Sequence, residues 1–208
     1  WSSDVCSSDL VVCTSVNDEV VHGIPSHRRL EEGDLVSVDF GAIVEGWHGD
    51  AARTFFVGEV RPELQRLSAV TEASMWAGLA AAVAGNRLSD IGHAVDRAVR
   101  ADGPWGIVEE HVGHGIGTEM HMYPSVPNYG KPGNGPKLEV GMALAIEQMV
   151  TAGERHVDVL DDGWTVSTLD GSHASHWENT VAITERGPWV LTELDGGEAG
   201  FSKYGQLV

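Results

Sequence analysis

The sequence has little positive charge, almost no cysteine and no long apolar run. Lys and Arg number 13 against 31 Asp and Glu, a formal net charge of -18 over 208 residues. A phosphate backbone is bound by neutralising it with cations, so a chain this acidic argues against a nucleic-acid partner. The two cysteines, Cys6 and Cys13, make no disulfide framework and suit a reducing cytoplasm. No apolar stretch approaches the ~20 residues that a bilayer span needs, and Leu10 to Val16 is too short and too poorly flanked for a signal peptide. What is there is 42% hydrophobic, enough for a buried core in one domain.

The stretch from Leu35 to Val57, LVSVDFGAIVEGWHGDAARTFFV, organises the rest. Its first arm alternates apolar and polar residues, Val44-Glu45-Gly46 supplies a turn, and the return arm starts at Trp47, which predicts a β-hairpin. Asp39 and Asp50 lie 11 positions apart. Across an even-numbered loop an odd separation puts both on one face. Like charges there destabilise the ladder unless a cation or a shared proton compensates. For this pair alone the other reading is a solvated, outward-facing Asp.

The first ten residues, WSSDVCSSDL, repeat Ser-Ser-Asp and read as a non-native scar over 1–10. Val11 to Val21 reads as a strand interrupted by a turn at Asn17-Asp18 and closed by the loop His22-Gly23-Ile24-Pro25. Pro62 opens a helix in which Leu64, Leu67, Thr71, Met75 and Leu79 keep a spacing of three and four. Ser89 offers an N-cap for a second helix that stops at Gly103-Pro104. Gly106 to Val112 reads as a strand entering a glycine-rich turn, Gly113 to Gly117, and Asn128 to Lys137 as a loop. Strands follow at Met142 to Val150, Trp164 to Leu169 and Trp177 to Thr184. The tail, 195–208, lacks periodicity and reads as a loose end.

Glu147 sits inside MALAIEQMV, a strand apolar on both faces. An unpaired charge there costs about 3 kcal/mol or more, and the only candidate cation is a distant one such as Arg53. Taken singly, Glu178 reads as an exposed acid near a strand start and His114 as a turn residue. Together Asp39, Asp50, His114, Glu147 and Glu178 offer four carboxylates and one imidazole. Their charge of about -4 balances two divalent cations, and an oxygen-rich set with one nitrogen suits Mn, Fe, Co or Zn. Two such ions ~3.5 to 4 Å apart activate water and clamp the oxygen of an amide under attack.

In order along the chain, Asp39, His48-Gly49-Asp50, Gly113-His114-Gly115-Ile116-Gly117, His121, Ile146-Glu147 and Trp177-Glu178-Asn179-Thr180 closely resemble the type I methionine aminopeptidases. His22-Gly23-Ile24-Pro25 and Asp162-Gly163-Trp164 extend the match from about Val11 to about Leu194. The resemblance implies an α+β, pita-bread fold: a curved antiparallel sheet backed by helices, in a catalytic domain (11–194) whose first helices are missing. It implies a cytoplasmic, monomeric metallo-exopeptidase that removes the initiator methionine from nascent polypeptides when the next residue is small, in transient association with the ribosome. Carried over residue by residue, it makes Asp39, Asp50, His114, Glu147 and Glu178 the ligands of two divalent ions (Co, Mn, Fe or Zn), with Asp50 and Glu178 bridging. Glu147 would also shuttle a proton to the leaving amine. His22 and His121 would bind the substrate amide and help to stabilise the tetrahedral intermediate. Cys13, Met120 and Trp164 would build part of the methionine pocket, although each is also an ordinary core residue.

The chain departs from the family at Gln148, where relatives have Pro, at Asn179, where they have His, and at Tyr123, where many carry an acid. The first two imply altered support for the ligands rather than loss of metal. Two further readings stay open on sequence: a proline-specific peptidase of the same fold, with the same ligands and a different pocket, and a non-enzymatic binding protein of that fold. Retention of all five ligands argues against the latter.

Overall fold

A computed structural model of the chain describes residues 12–205; the scar read over 1–10 lies outside them. The chain begins with β1 (Val12–Val16) and β2 (Glu19–Val21), joined by a turn at Asn17, whose φ is 62°. The predicted hairpin is β3 (Leu35–Val44) and β4 (Trp47–Phe56). Its two loop residues, Glu45 and Gly46, both have positive φ, 51° and 85°, as a tight hairpin turn that matches strand twist requires.

Two helices follow. Helix α1 (Pro62–Ala81) starts on its proline, where the missing N–H costs nothing. Helix α2 (Leu88–Asp102) begins before the expected cap: the Arg87 N–H donates to Asp90 Oδ2 at 2.7 Å, while the Ser89 hydroxyl accepts from Asn134 N–H at 2.8 Å. The remaining strands are β5 (Gly106–Ile107), β6 (Gly113–Gly115), β7 (Met122–Val126), β8 (Ala143–Thr151), β9 (Val157–Val159), β10 (Val166–Thr168), β11 (Ala174–Thr184) and β12 (Gly187–Val190).

Among the described residues nine strands form one antiparallel sheet, ordered β1-β3-β4-β11-β8-β6-β7, with β12 paired to β11 and β5 to β8. A smaller sheet, β2-β10-β9, lies apart. Alternation along β8 and β11 divides their side chains. Leu144, Ile146, Val181 and Ile183 face the helices and pack with Met75, Leu79 and Ile91. Met149 and Ala174 turn the other way and pack with Val20, Val21 and Val166 of the smaller sheet. The expected α+β architecture, a sheet backed by helices, is therefore what forms. On the helix-side face of the hairpin, Phe40 and Phe55 remain 51% and 54% exposed.

Two expectations are corrected. Gly113 to Gly115 is not a turn but strand β6, paired on one side with β8 and on the other with β7. Its glycines are there for backbone approach: a Cβ on Gly113 would lie 2.4 Å from the Ala145 carbonyl oxygen, and one on Gly115 2.4 Å from that of Tyr123. Gly113→Ala should therefore displace β6 from β8, lowering unfolding free energy by about 2 kcal/mol and Tm by roughly 4 to 8 °C, read by thermal circular dichroism. The tail is not a loose end either. Glu198–Tyr204 form helix α3, whose Phe201 meets Trp76 of α1 edge-on at 5.2 Å and whose Tyr204 stacks on it at 6.3 Å. Gly200 permits this docking, since a Cβ there would fall 2.1 Å from the Trp76 ring.

Candidate metal centre

Sheet register brings the five predicted ligands together in two adjacent rows on the face opposite α1 and α2. In the first row Cys13 stands opposite Asp39, Asp39 opposite Ala52, Ala52 opposite Glu178, and Glu178 opposite Glu147. In the second, Asp50 stands opposite Gly41, and His114 opposite Ala145, which faces Thr180. The Thr180 hydroxyl ties β11 to β4 within the second row, accepting from Asp50 N–H at 2.9 Å and donating to Asp50 C=O at 2.8 Å.

Glu147 and Glu178 thus face each other directly across β8 and β11, an arrangement that like charges disfavour. Burial first, and the neighbouring acids second, push both carboxyls well above the usual carboxylate range. Asp50 is raised to about 6, chiefly by burial, against hydrogen bonds that its carboxylate accepts from the Ala51 N–H and from Asp39. Arg53 does not compensate Glu147. Its guanidinium lies on the helix-side face, donating to Glu178 C=O at 2.5 Å, Asn179 Oδ1 at 2.8 Å and Glu193 Oε1 at 2.6 Å.

His114 is buried, which lowers it to about 4 and keeps it neutral. A carbonyl can only accept, so Nδ1 donates to Gly115 C=O at 2.9 Å. The Nε2 lone pair is left facing Glu147 Oε1 at 3.6 Å and Asp50 Oδ2 at 4.0 Å. Neutral imidazole among acids this close is not an ion pair; it is a set of donors suited to a cation. Among the described residues, two sets of donor atoms lie within 4.8 Å inside each set: Asp50, His114 and Glu178, and Glu147, His176 and Glu178. Among the described residues, Glu178 Oε1 and both ring nitrogens of His176 are buried without a hydrogen-bond partner. Raised carboxylates and orphaned donors together fit divalent metal.

The other predicted residues surround this set unevenly. His121 is exposed at the rim, its ring 4.4 Å from that of His114. His22 takes a positive φ of 63° and is stacked on Trp164 at 5.2 Å and edge-on to His111 at 5.7 Å. Burial, with His111 and His121 adding to it, lowers His22 to about 4. The next residue explains the loop: a Cβ on Gly23 would sit 2.3 Å from Thr14 O, so only glycine lets His22 lie against β1. Cys13 is buried in the first row, whereas Met120 packs with Ile116. His176 and His111 escaped sequence reading, although His176, two residues before Glu178 on one strand, shares its face by parity alone.

The departures at Gln148 and Asn179 point away from the acids. Gln148 donates to Asn128 Oδ1 at 3.1 Å, and Asn128 in turn donates to Glu147 C=O at 2.7 Å. Asn179 accepts from Arg53 and Thr192. Their support reaches the acids through backbone. Tyr123 is 83% exposed.

The model of metallopeptidase family M24 matches residues 3–185. The methionine aminopeptidase of Clostridium acetobutylicum is 56% identical over 182 residues, covering 87% of this chain and 72% of the relative. The crystal structure of methionine aminopeptidase from Thermotoga maritima superposes with a TM-score of 0.85 at 45% identity, over 88% of this chain and 73% of that one. The Xaa-Pro dipeptidase of Bacillus anthracis, at 23% identity and a TM-score of 0.69 over 88% of this chain and 46% of that one, shares the fold alone. With its pita-bread sheet and M24 match, the chain belongs to metallopeptidase family M24 and, within it, to the methionine aminopeptidases.

Proposed function

We propose that this chain removes N-terminal methionine from peptides whose second residue is small, at a dinuclear centre of divalent ions held by Asp39, Asp50, His114, Glu147 and Glu178. The observation that supports it most is the buried pair of acid rows, with Glu147 directly opposite Glu178 and Arg53 committed to the other face. Ions bound there would lower the pKa of water toward neutrality and polarise the scissile carbonyl. Glu147, 14% exposed, is the acid placed to take a proton from the attacking water and return it to the leaving amine. His121 at the rim and His22, held between Trp164 and His111, would orient the substrate's amide by hydrogen bonds. Cys13, Met120 and Trp164 contribute a thiol, a thioether and an indole, polarisable groups suited to a methionine side chain.

This reading gives the enzyme nascent N-termini as substrates, a cytoplasmic place and monomeric action. No helix among the described residues is long and apolar enough to cross a membrane. A net charge of -18 lends nothing to docking on ribosomal RNA.

The test is free methionine released from Met-Gly and Met-Pro peptides, against an Ala-Pro control, by metal-stripped protein titrated with Mn²⁺ or Co²⁺. Metal-dependent release of methionine alone is the expected result. Alanine released from Ala-Pro would move the assignment to a proline-specific peptidase, and no release from folded protein would overturn it. His121→Ala should lower kcat by about 10- to 100-fold while leaving Tm nearly unchanged, because its side chain is exposed. Unaltered kinetics would remove His121 from the site.

A further inference from the structure

His176 lies outside the five residues assigned above, yet it is 1% exposed among them. Its backbone is fixed in β11: the N–H donates to Thr54 Oγ1 at 3.1 Å, and that hydroxyl donates back to His176 C=O at 2.8 Å. Alternation along the strand then aims the ring onto the face that carries Glu178, with Met149 opposite it in register. Among the described residues, neither Nδ1 nor Nε2 has a hydrogen-bond partner. Leaving a buried imidazole with both nitrogens unbonded costs on the order of a few kcal/mol unless something else binds it.

Geometry identifies that something. Nε2 lies 3.8 Å from Glu147 Oε2 and 3.8 Å from Glu178 Oε2. These separations are too long for hydrogen bonds. They are ordinary between two atoms that ligate one ion, each ~2.1 Å from it and therefore ~3 to 4 Å from each other. The three atoms form a donor set of their own beside the set of Asp50, His114 and Glu178, and the two sets share Glu178.

We propose that His176 is a sixth protein ligand of the metal centre, its Nε2 binding an ion together with Glu147 and Glu178. This rests on the dinuclear reading above. The centre then carries two imidazoles in place of one. A second nitrogen shifts preference toward Fe, Co and Zn and away from Mn.

The experiment counts imidazole ligands directly. Co²⁺-loaded protein is examined by proton NMR for solvent-exchangeable imidazole N–H resonances shifted outside the diamagnetic range, and Co²⁺ uptake is followed by titration calorimetry. Wild-type protein should show two such resonances and His176→Gln one, with one Co²⁺ equivalent bound at least 10-fold more weakly. The wild-type count does not depend on how the variant folds. A single resonance in wild-type protein, or two that survive His176→Gln, would overturn the role of His176 and leave the five-residue centre standing. Wild-type protein that takes up no Co²⁺ would overturn both.

Discussion

Glu147→Gln is expected to cut methionine release by about 10³-fold at saturating metal, while metal affinity falls by roughly 10- to 100-fold. The amide keeps the shape of the side chain and its place in β8, where Asn128 holds the Glu147 carbonyl at 2.7 Å. What it loses is the ability to accept a proton. Glu147 keeps partial access to solvent in the first row, as Asp39 does, whereas Glu178 opposite it is only 2% exposed. Assaying at a metal concentration that saturates both proteins separates lost chemistry from lost metal. A variant that turns over at near wild-type rate would remove Glu147 from proton transfer, whatever its metal content.

How much of this site could be read from the sequence depended on which physical rule each residue obeys. Asp39 and Asp50 share a face because hairpin parity is local, and their register, Asp39 opposite Ala52 and Gly41 opposite Asp50, follows from the turn at Glu45-Gly46. Glu147 could be singled out because a charge in an apolar strand is costly wherever the strand pairs. That Glu178 lies directly opposite it could not, since the register of two strands joined through residues 152–173 is decided by packing and not by any local pattern. The glycines around His114 misled because glycine serves both turns and close backbone approach, and only the Ala145 and Tyr123 carbonyls show which need applies. Helix α3 has seven residues, too few to display a period, and it is held by its contacts with Trp76. His176 was within reach: the parity argument that paired Asp39 with Asp50 also joins His176 to Glu178.

Metal-stripped protein should lose stability as pH rises above about 6.5. On the acid side two sets of groups oppose each other. His22 and His114 are lowered to about 4 and His176 to about 3, mainly by burial. For these imidazoles the unfolded chain binds more protons than the fold between pH ~4 and 6.5, and their contribution to stability falls as pH falls through that window. Asp50, raised to about 6, and Glu147 and Glu178, both raised by burial, oppose it over the same window, because the fold holds protons that the unfolded carboxyls have released. Above pH 6.5 the imidazoles are neutral in both states and the remaining term comes from Glu147 and Glu178. Their raised values mean that the fold holds protons the unfolded chain has already released, so stability declines with rising pH. Each such group contributes a slope of about 1.4 kcal/mol per pH unit, or roughly 3 to 5 °C in Tm, until it ionises in the fold. Asp34, Asp162, Asp170 and Asp195 shift downward, but on the surface, where solvent screening leaves them little weight. Divalent metal competes with those protons for the same oxygens. At about 1,000 times its Kd it should add ~4 kcal/mol per ion, raise Tm by roughly 8 °C or more, and flatten the alkaline decline. Calorimetric scans from pH 5 to 8.5 with and without Co²⁺ make the comparison. A stripped protein whose Tm holds or climbs between pH 6.5 and 8.5 would mean that Glu147 and Glu178 are already ionised in the fold, and a set of acids that needs no cation to coexist is not a metal centre.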